Sequence, residues 1–171
     1  SPADAAGWNS LTAWELVQSA DTKAKLTTAS DSPLHPNNPH YAVLTIPGGS
    51  GEAGLKNSGF DGIAVTVGEN YVFSVFARQL SSTGDSLAVR LESKAGALLA
   101  EAKLPQPGGE WKKATAVLSV RSTDSDARLV LVASGPGETA LDMVSLFPEK
   151  TFNGRTNGLR ADLAQTIADL K

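Results

Sequence analysis

From Tyr41 to Leu146 the chain is a succession of short runs in which apolar and polar residues alternate, separated by clusters of Gly, Pro, Asn, Asp and Ser. Alternation puts one set of side chains on a buried sheet face and the other on solvent, and the frequent punctuation leaves no room for long helices. The spacing predicts eight strands: Tyr41–Ile46, Gly62–Val67, Tyr71–Gln79, Ser86–Ser93, Leu98–Lys103, Lys112–Val120, Arg128–Ser134 and Ala140–Phe147. Gly68-Glu69-Asn70 reads as a tight turn. Trp14–Val17 and Lys23–Thr28 read as further edge strands. Such a set implies an all-β sandwich of two antiparallel sheets.

The same alternation assigns faces. Tyr71, Phe73, Val75 and Ala77 share a buried face, which leaves Val72, Ser74, Phe76 and Arg78 pointing out. Leu87, Val89 and Leu91 point in, with Ala88, Arg90 and Glu92 out. Leu44, Ile46, Leu129 and Leu131 supply the facing core positions. Tyr41 falls on an outward face with Val43 and Thr45.

Composition narrows the function classes. A chain of 171 residues suits one main domain. No apolar run approaches the ~20 residues of a membrane-spanning helix. The 15 basic and 18 acidic residues are scattered, with a net charge of -3, so there is no electrostatic footprint for nucleic acid or an anionic membrane. The expected partner is uncharged. Without cysteine there is no disulfide, thiol nucleophile or thiolate metal site. The two histidines, His35 and His40, lie in a Pro/Asn-rich stretch without a third ligand at zinc spacing.

After Phe147-Pro148 the period changes. Leu159, Leu163, Ile167 and Leu170 stand at helical spacing, which predicts one amphipathic helix over 157–170. A lone helix of about three turns is marginal in water, so its stripe must pack on the sandwich or on another domain. Another domain is the expectation.

Three segments carry a family resemblance: Asn37-Asn38-Pro39-His40-Tyr41, Gly59-Phe60-Asp61-Gly62-Ile63 and Tyr71-Val72-Phe73-Ser74-Val75-Phe76-Ala77-Arg78. The ending is the most specific part: Leu141-Asp142-Met143-Val144-Ser145-Leu146-Phe147-Pro148, Thr151-Phe152 and Arg155-Thr156-Asn157-Gly158-Leu159-Arg160-Ala161-Asp162-Leu163. Together they resemble the α-L-arabinofuranosidases of glycoside hydrolase family fifty-one. The resemblance implies a jelly-roll domain of the carbohydrate-binding-module type of families four, nine and twenty-two, inserted near the start of a (β/α)8 catalytic barrel. It implies a sandwich over 1–148, with 149–171 as linker and first helix leading into the barrel. The two catalytic glutamates of such enzymes lie on later barrel strands, so no catalytic residue is expected here. Secretion or a periplasmic location follows from the same resemblance.

Hydrolysis of a glycoside needs two convergent carboxyl groups on a rigid frame. Asp61, Asp85, Asp124 and Asp126 instead fall in predicted turns. Sugar binding needs a flat apolar surface flanked by planar hydrogen-bonding groups. Phe76 with Arg78 meets that description, and the resemblance places Phe76 where related modules carry a stacking aromatic. Arg90 and Glu92 join them if their strand is a neighbour, and Tyr41 and Trp14 are further candidates. Trp111, at a strand start, reads as a packing tryptophan, and Trp8 lies in the irregular N-terminal stretch. The resemblance also implies a structural calcium with Asp142 as the last-strand ligand, although Asp4 and Glu15 are poor matches for its N-terminal partner.

The expected function is therefore non-catalytic binding of plant cell-wall polysaccharide, xylan, arabinoxylan or a related β-glycan, for a covalently attached arabinofuranosidase. The alternatives are a structural insert that binds no sugar, kept open by an aromatic content of 6%, and a fragment with activity of its own.

Overall fold

The computed structural model describes residues 13–48, 51–58, 62–82, 86–150 and 159–168. Asp4, Trp8, Phe60-Asp61, Asp85, Thr151-Phe152 and Leu170 lie outside the described residues. The strands in chain order are β1 Ala13–Gln18, β2 Lys25–Ala29, β3 Tyr41–Ile46, β4 Glu52–Ser58, β5 Ile63–Val65, β6 Asn70–Gln79, β7 Ser86–Glu92, β8 Leu98–Lys103, β9 Lys112–Ser119, β10 Asp124–Ser134, β11 Gly137–Pro148 and β12 Leu159–Ala161, followed by helix α1 Leu163–Ala168.

They form a sandwich of two antiparallel sheets. The first has the order β1-β4-β10-β7-β8, with β5 also paired to β10. The second has the order β2-β3-β11-β6-β9, with β12 also paired to β11. The inner faces are those that the alternation assigns: Phe73, Val75, Val89, Leu91, Leu129 and Leu131 are all buried in one core cluster. Gly68 begins the predicted turn at a φ of 85°, a left-handed value that costs glycine little, and its N–H donates to the Val120 carbonyl.

Two elements depart from the sequence expectation. β4 is an additional strand between β1 and β10. Its sequence, Glu-Ala-Gly-Leu-Lys-Asn-Ser, has low strand propensity, but Ala53, Leu55 and Asn57 are buried while Glu52 and Lys56 are not. Gly54 suits the close packing there: a Cβ at this position would lie 3.1 Å from Val130 and 3.2 Å from Val17, so either neighbour would have to give by a few tenths of an ångström.

The second departure is the tail. Leu159–Ala161 is a strand paired to β11, and the described helix is only Leu163–Ala168. Asp162 caps it, its Oδ1 accepting the N–H groups of Ala164 and Gln165. The apolar stripe packs on the sandwich: Leu159, Leu163 and Ile167 are buried in the main core, and α1 contacts β1, β2, β3 and β11. The expectation that this stripe faces another domain is corrected accordingly. Residues 159, 161 and 163 satisfy a period of two as well as 159 and 163 satisfy a helix, so spacing alone does not discriminate.

No helix among the described residues is long and apolar enough to cross a membrane.

Candidate functional site

The outer face of the second sheet gathers most of the expected residues. Phe76 and Arg78 project from β6 on the side opposite Val75 and Ala77, both half-buried. Across the ladder Phe76 meets Asp142 of β11 on one side and Lys113 of β9 on the other. One step along, Ser74 faces Ser145 and Thr115, and the two serine hydroxyls are hydrogen-bonded. Beyond them Arg160 of β12 lies over the ring of Phe147, its guanidinium carbon 5.2 Å from the centroid.

Arg78 is the centre of a clasp at the other end of this face. Its guanidinium carbon lies 5.7 Å from the centroid of Tyr41 and 5.4 Å from that of Trp111, and the two rings meet edge to face at 5.2 Å. All three side chains donate to the backbone of one loop. Tyr41 Oη donates to the Asp31 carbonyl at 2.6 Å, Trp111 Nε1 to the Ser32 carbonyl at 2.8 Å, and Arg78 Nη2 to Asp31 O at 3.1 Å. Ser32 holds a φ of 48°, sparsely populated for a non-glycine residue, so these bonds fix a loop conformation that sequence alone would not hold.

The consequence for the expected ligand residues is specific. Tyr41 lies on the outer face as its alternation requires, but the loop and Trp111 leave it only 2% exposed, in a satellite cluster with Val43 and Ala140. It positions the loop and offers no surface to a ligand. Trp111, read from sequence as a packing residue, belongs to the same cluster; continuing the alternation of Ala114, Ala116 and Leu118 back from β9 is the signal for its outward face.

Trp14 is in the core, 0% exposed, so the expectation that it contacts ligand is corrected. It pairs in register with Asn57, and among the described residues its Nε1 and both polar atoms of Asn57 have no hydrogen-bond partner. Arg90 and Glu92 are also displaced from the expected site. Their strand, β7, is in the first sheet between β10 and β8, so they face away from Phe76 on the opposite side of the sandwich. Arg90 is paired with Glu101 at 2.6 Å and Glu52 at 3.3 Å.

Asp142 sits at a β-bulge between the two registers of β11, where Met143 takes a φ of 49°. It is 2% exposed. Burial, with the nearby charge of Asp162, pushes its carboxyl up to about 6, partly opposed by the Met143 N–H that donates to Oδ1 at 3.0 Å. Asp162 is already committed, with Oδ2 accepting from Asn38 Nδ2 at 2.6 Å and Oδ1 capping α1. A calcium shell takes about six to eight oxygens. Among the described residues no group of three His, Cys, Asp or Glu side chains converges to hold a metal ion, and these two engaged carboxylates do not make up the set.

Asp124 and Asp126, expected in turns, instead lie in the first residues of β10 and are used locally: Asp126 Oδ1 accepts the Gly62 N–H at 2.6 Å and pairs with Arg128 at 3.1 Å, while Asp124 Oδ1 accepts the Asp126 N–H.

No family model matches the chain. It is 38% identical over 138 residues to an extracellular exo-α-L-arabinofuranosidase of Streptomyces chartreusis, covering 80% of this chain and 16% of that protein. It is 35% identical over 127 residues to α-L-arabinofuranosidase 1 of Arabidopsis thaliana, covering 71% of this chain and 18% of that one. The chain thus spans less than a fifth of the length of either relative. Among solved structures, the arabinose-bound MgGH51 α-L-arabinofuranosidase superposes with a TM-score of 0.72 at 31% identity, over 94% of this chain and 27% of that one. Carbohydrate-binding modules share the fold at lower identity. The CBM22-1-GH10 modules of a Clostridium thermocellum xylanase complexed with xylohexaose give a TM-score of 0.54 at 15% identity, over 85% of this chain and 28% of that one. The module TmCBM61 in complex with β-1,4-galactotriose gives 0.53 at 15% identity, over 84% and 92%. The chain is homologous to a segment of α-L-arabinofuranosidases and has the jelly-roll fold of these modules.

Proposed function

We propose that this sandwich is a non-catalytic carbohydrate-binding module of a secreted arabinofuranosidase, holding xylan, arabinoxylan or a related neutral β-glycan for a covalently attached catalytic domain. The observation that carries the reading is the placement of Phe76: an outward ring on the second sheet, with Asp142 and Lys113 directly beside it on the two neighbouring strands. A ring offers its face to the C–H side of a sugar, and the exposed Lys113 ammonium beside it offers hydrogen bonds to hydroxyls, while Asp142 is buried at the ring's other flank. The clasp of Arg78, Tyr41 and Trp111 holds the 31–32 loop at one end of this face and gives it a fixed wall. The similarity to the xylohexaose-bound modules and to an extracellular arabinofuranosidase supports the ligand class and the location.

A structural insert that binds no sugar is the second reading. It is favoured by the engagement of Arg78 Nη2 and Tyr41 Oη with the 31–32 loop of the chain itself. Affinity electrophoresis in soluble arabinoxylan, arabinan and mixed-linkage glucan separates the two: retardation by one of them supports the module, and unchanged mobility in all three supports the insert. Turnover of an arabinofuranosyl reporter substrate by this chain overturns both. The structural calcium on Asp142 is a separate proposal that needs further oxygen ligands beside this carboxylate. A calcium-dependent rise in Tm that Asp142→Asn abolishes establishes it, and a Tm indifferent to calcium and chelator dismisses it.

A further inference from the structure

The open part of the outer face of the second sheet has a direction. Beside Phe76 the sheet is closed towards β3: Asp142 and Ala140 of β11 are buried, and Tyr41 is covered by the 31–32 loop. Arg78, the next outward residue of β6, closes the end of the strand, because its guanidinium lies over Tyr41 and Trp111. From the ring the exposed surface therefore runs the other way, along β6 and its edge neighbour β9, where Lys113, Thr115 and Val117 are exposed in succession. This strip ends on an apolar row in which Val117, Val72 and Phe147 are aligned across β9, β6 and β11. Val117 is 46% exposed, and Val72 and Phe147 are half-buried. The exposed Arg160 lies with its guanidinium over the Phe147 ring.

Four residues of β6 separate Phe76 from Val72, about 14 Å along the strand. Between them the outward residues are Thr115, Ser74 and Ser145, all hydroxyls without charge. Ser74 is covered and bonded to Ser145, so Thr115 and Ser145 form the surface there. Ring, hydroxyls and apolar row follow one another in the order in which a sugar chain lying along the strand offers C–H faces and hydroxyl groups. We propose that Val117, Val72, Phe147 and Arg160 form a second subsite of the same face. A β-glycan then lies parallel to β6, with one unit on Phe76 and a later unit on the apolar row, where the planar fork of Arg160 donates to its hydroxyls. The proposal rests on the reading of Phe76 as a sugar-contacting residue and adds to it the axis and the length of the ligand. A disaccharide reaches one subsite and a hexasaccharide reaches both. Because both subsites sit on one rigid sheet and act on one chain, the second contact forms at a high effective concentration.

The test is a methyl and aromatic NMR titration of this chain with xylobiose and with xylohexaose, repeated in Arg160→Ala, Val117→Ser and Phe76→Ala. Arg160 and Val117 are exposed, so their substitution leaves the fold intact. The expected result is that xylohexaose moves the Phe76 ring and the Val117 methyls on one saturation curve. Its affinity falls about ten-fold in Arg160→Ala and about three-fold in Val117→Ser, while the response of the Phe76 ring to xylobiose is unchanged in both. Xylohexaose affinity that stays the same in both variants, or a Phe76 ring that shifts while Val117 and Phe147 do not, overturns the second subsite and leaves the first standing. An equal loss for the two sugars in Arg160→Ala also overturns it, since a defect that ignores chain length is not the loss of a distant contact. Shifts at Val117 that keep their full strength in Phe76→Ala overturn the reading of Phe76 and the continuous site with it. A chain in which neither place responds overturns both.

Discussion

Phe76 and Asp142 face each other across β6 and β11 on the outer side of the second sheet, beside the bulge at which Met143 turns left-handed. The pairing places an apolar ring next to a carboxyl that burial holds well above its ordinary range.

The elevated carboxyl gives a pH signature. Asp142 moves from an ordinary value of 3.8 to about 6 in the folded chain. A raised folded value means that its contribution to stability is complete below the ordinary value and is lost as pH rises through about 6. Relative to Asp142→Asn, the unsubstituted chain should lose about 1–3 kcal/mol between about pH 4 and about pH 8. Thermal unfolding of both proteins across that range checks it, and a constant difference between them contradicts it.

Arg78→Ala removes the cation between Tyr41 and Trp111 and one bond to the Asp31 carbonyl. Tyr41 and Trp111 keep their own bonds to the loop, so the fold should survive with a loss of about 1–3 kcal/mol. Trp111 emission should shift to the red, and amide exchange near residues 31–32 should quicken. Arg78→Lys keeps the charge without the planar fork and should rescue only part of the effect. Emission and exchange unchanged in Arg78→Ala would show that the clasp does not hold the loop.

These contacts mark where the sequence is legible. Strict alternation in β6, β7 and β9 identifies inner and outer residues correctly, because one-sided burial imposes a period of two. It cannot report which strands become neighbours. Arg90 and Glu92 point outward as the alternation requires, yet they do so from the other sheet, since strand order depends on non-local pairing rather than on any local pattern. The burial of Tyr41 is equally hidden: it depends on a loop tied down by Arg78 and Trp111 from two other segments. β4 escapes a propensity reading because Gly54 and Asn57 obey the packing of β1 and β10 instead.

The tail is part of the sandwich in energetic terms. Leu163 is fully buried in the main core, so Leu163→Ala should cost about 2–5 kcal/mol in this chain alone. Urea unfolding measures it. A loss below about 1 kcal/mol would mean that the stripe contributes little to the sandwich.

Asn57 predicts the opposite sign. Its side-chain amide is buried opposite Trp14 with neither polar atom partnered among the described residues. Asn57→Leu, of similar shape, should leave stability within about 1 kcal/mol of the original or raise it, whereas Asn57→Asp should cost several kcal/mol. The same unfolding experiment decides, and a large loss in Asn57→Leu would reveal a hydrogen bond that the amide makes in solution.

The most direct test of the glycan-binding face is isothermal calorimetry with soluble arabinoxylan on the unsubstituted chain and on Phe76→Ala, with circular dichroism to verify that both are folded. Measurable binding that weakens about ten-fold or more on loss of the ring is the predicted result. Binding of equal strength in the two proteins would contradict the placement of the site at Phe76.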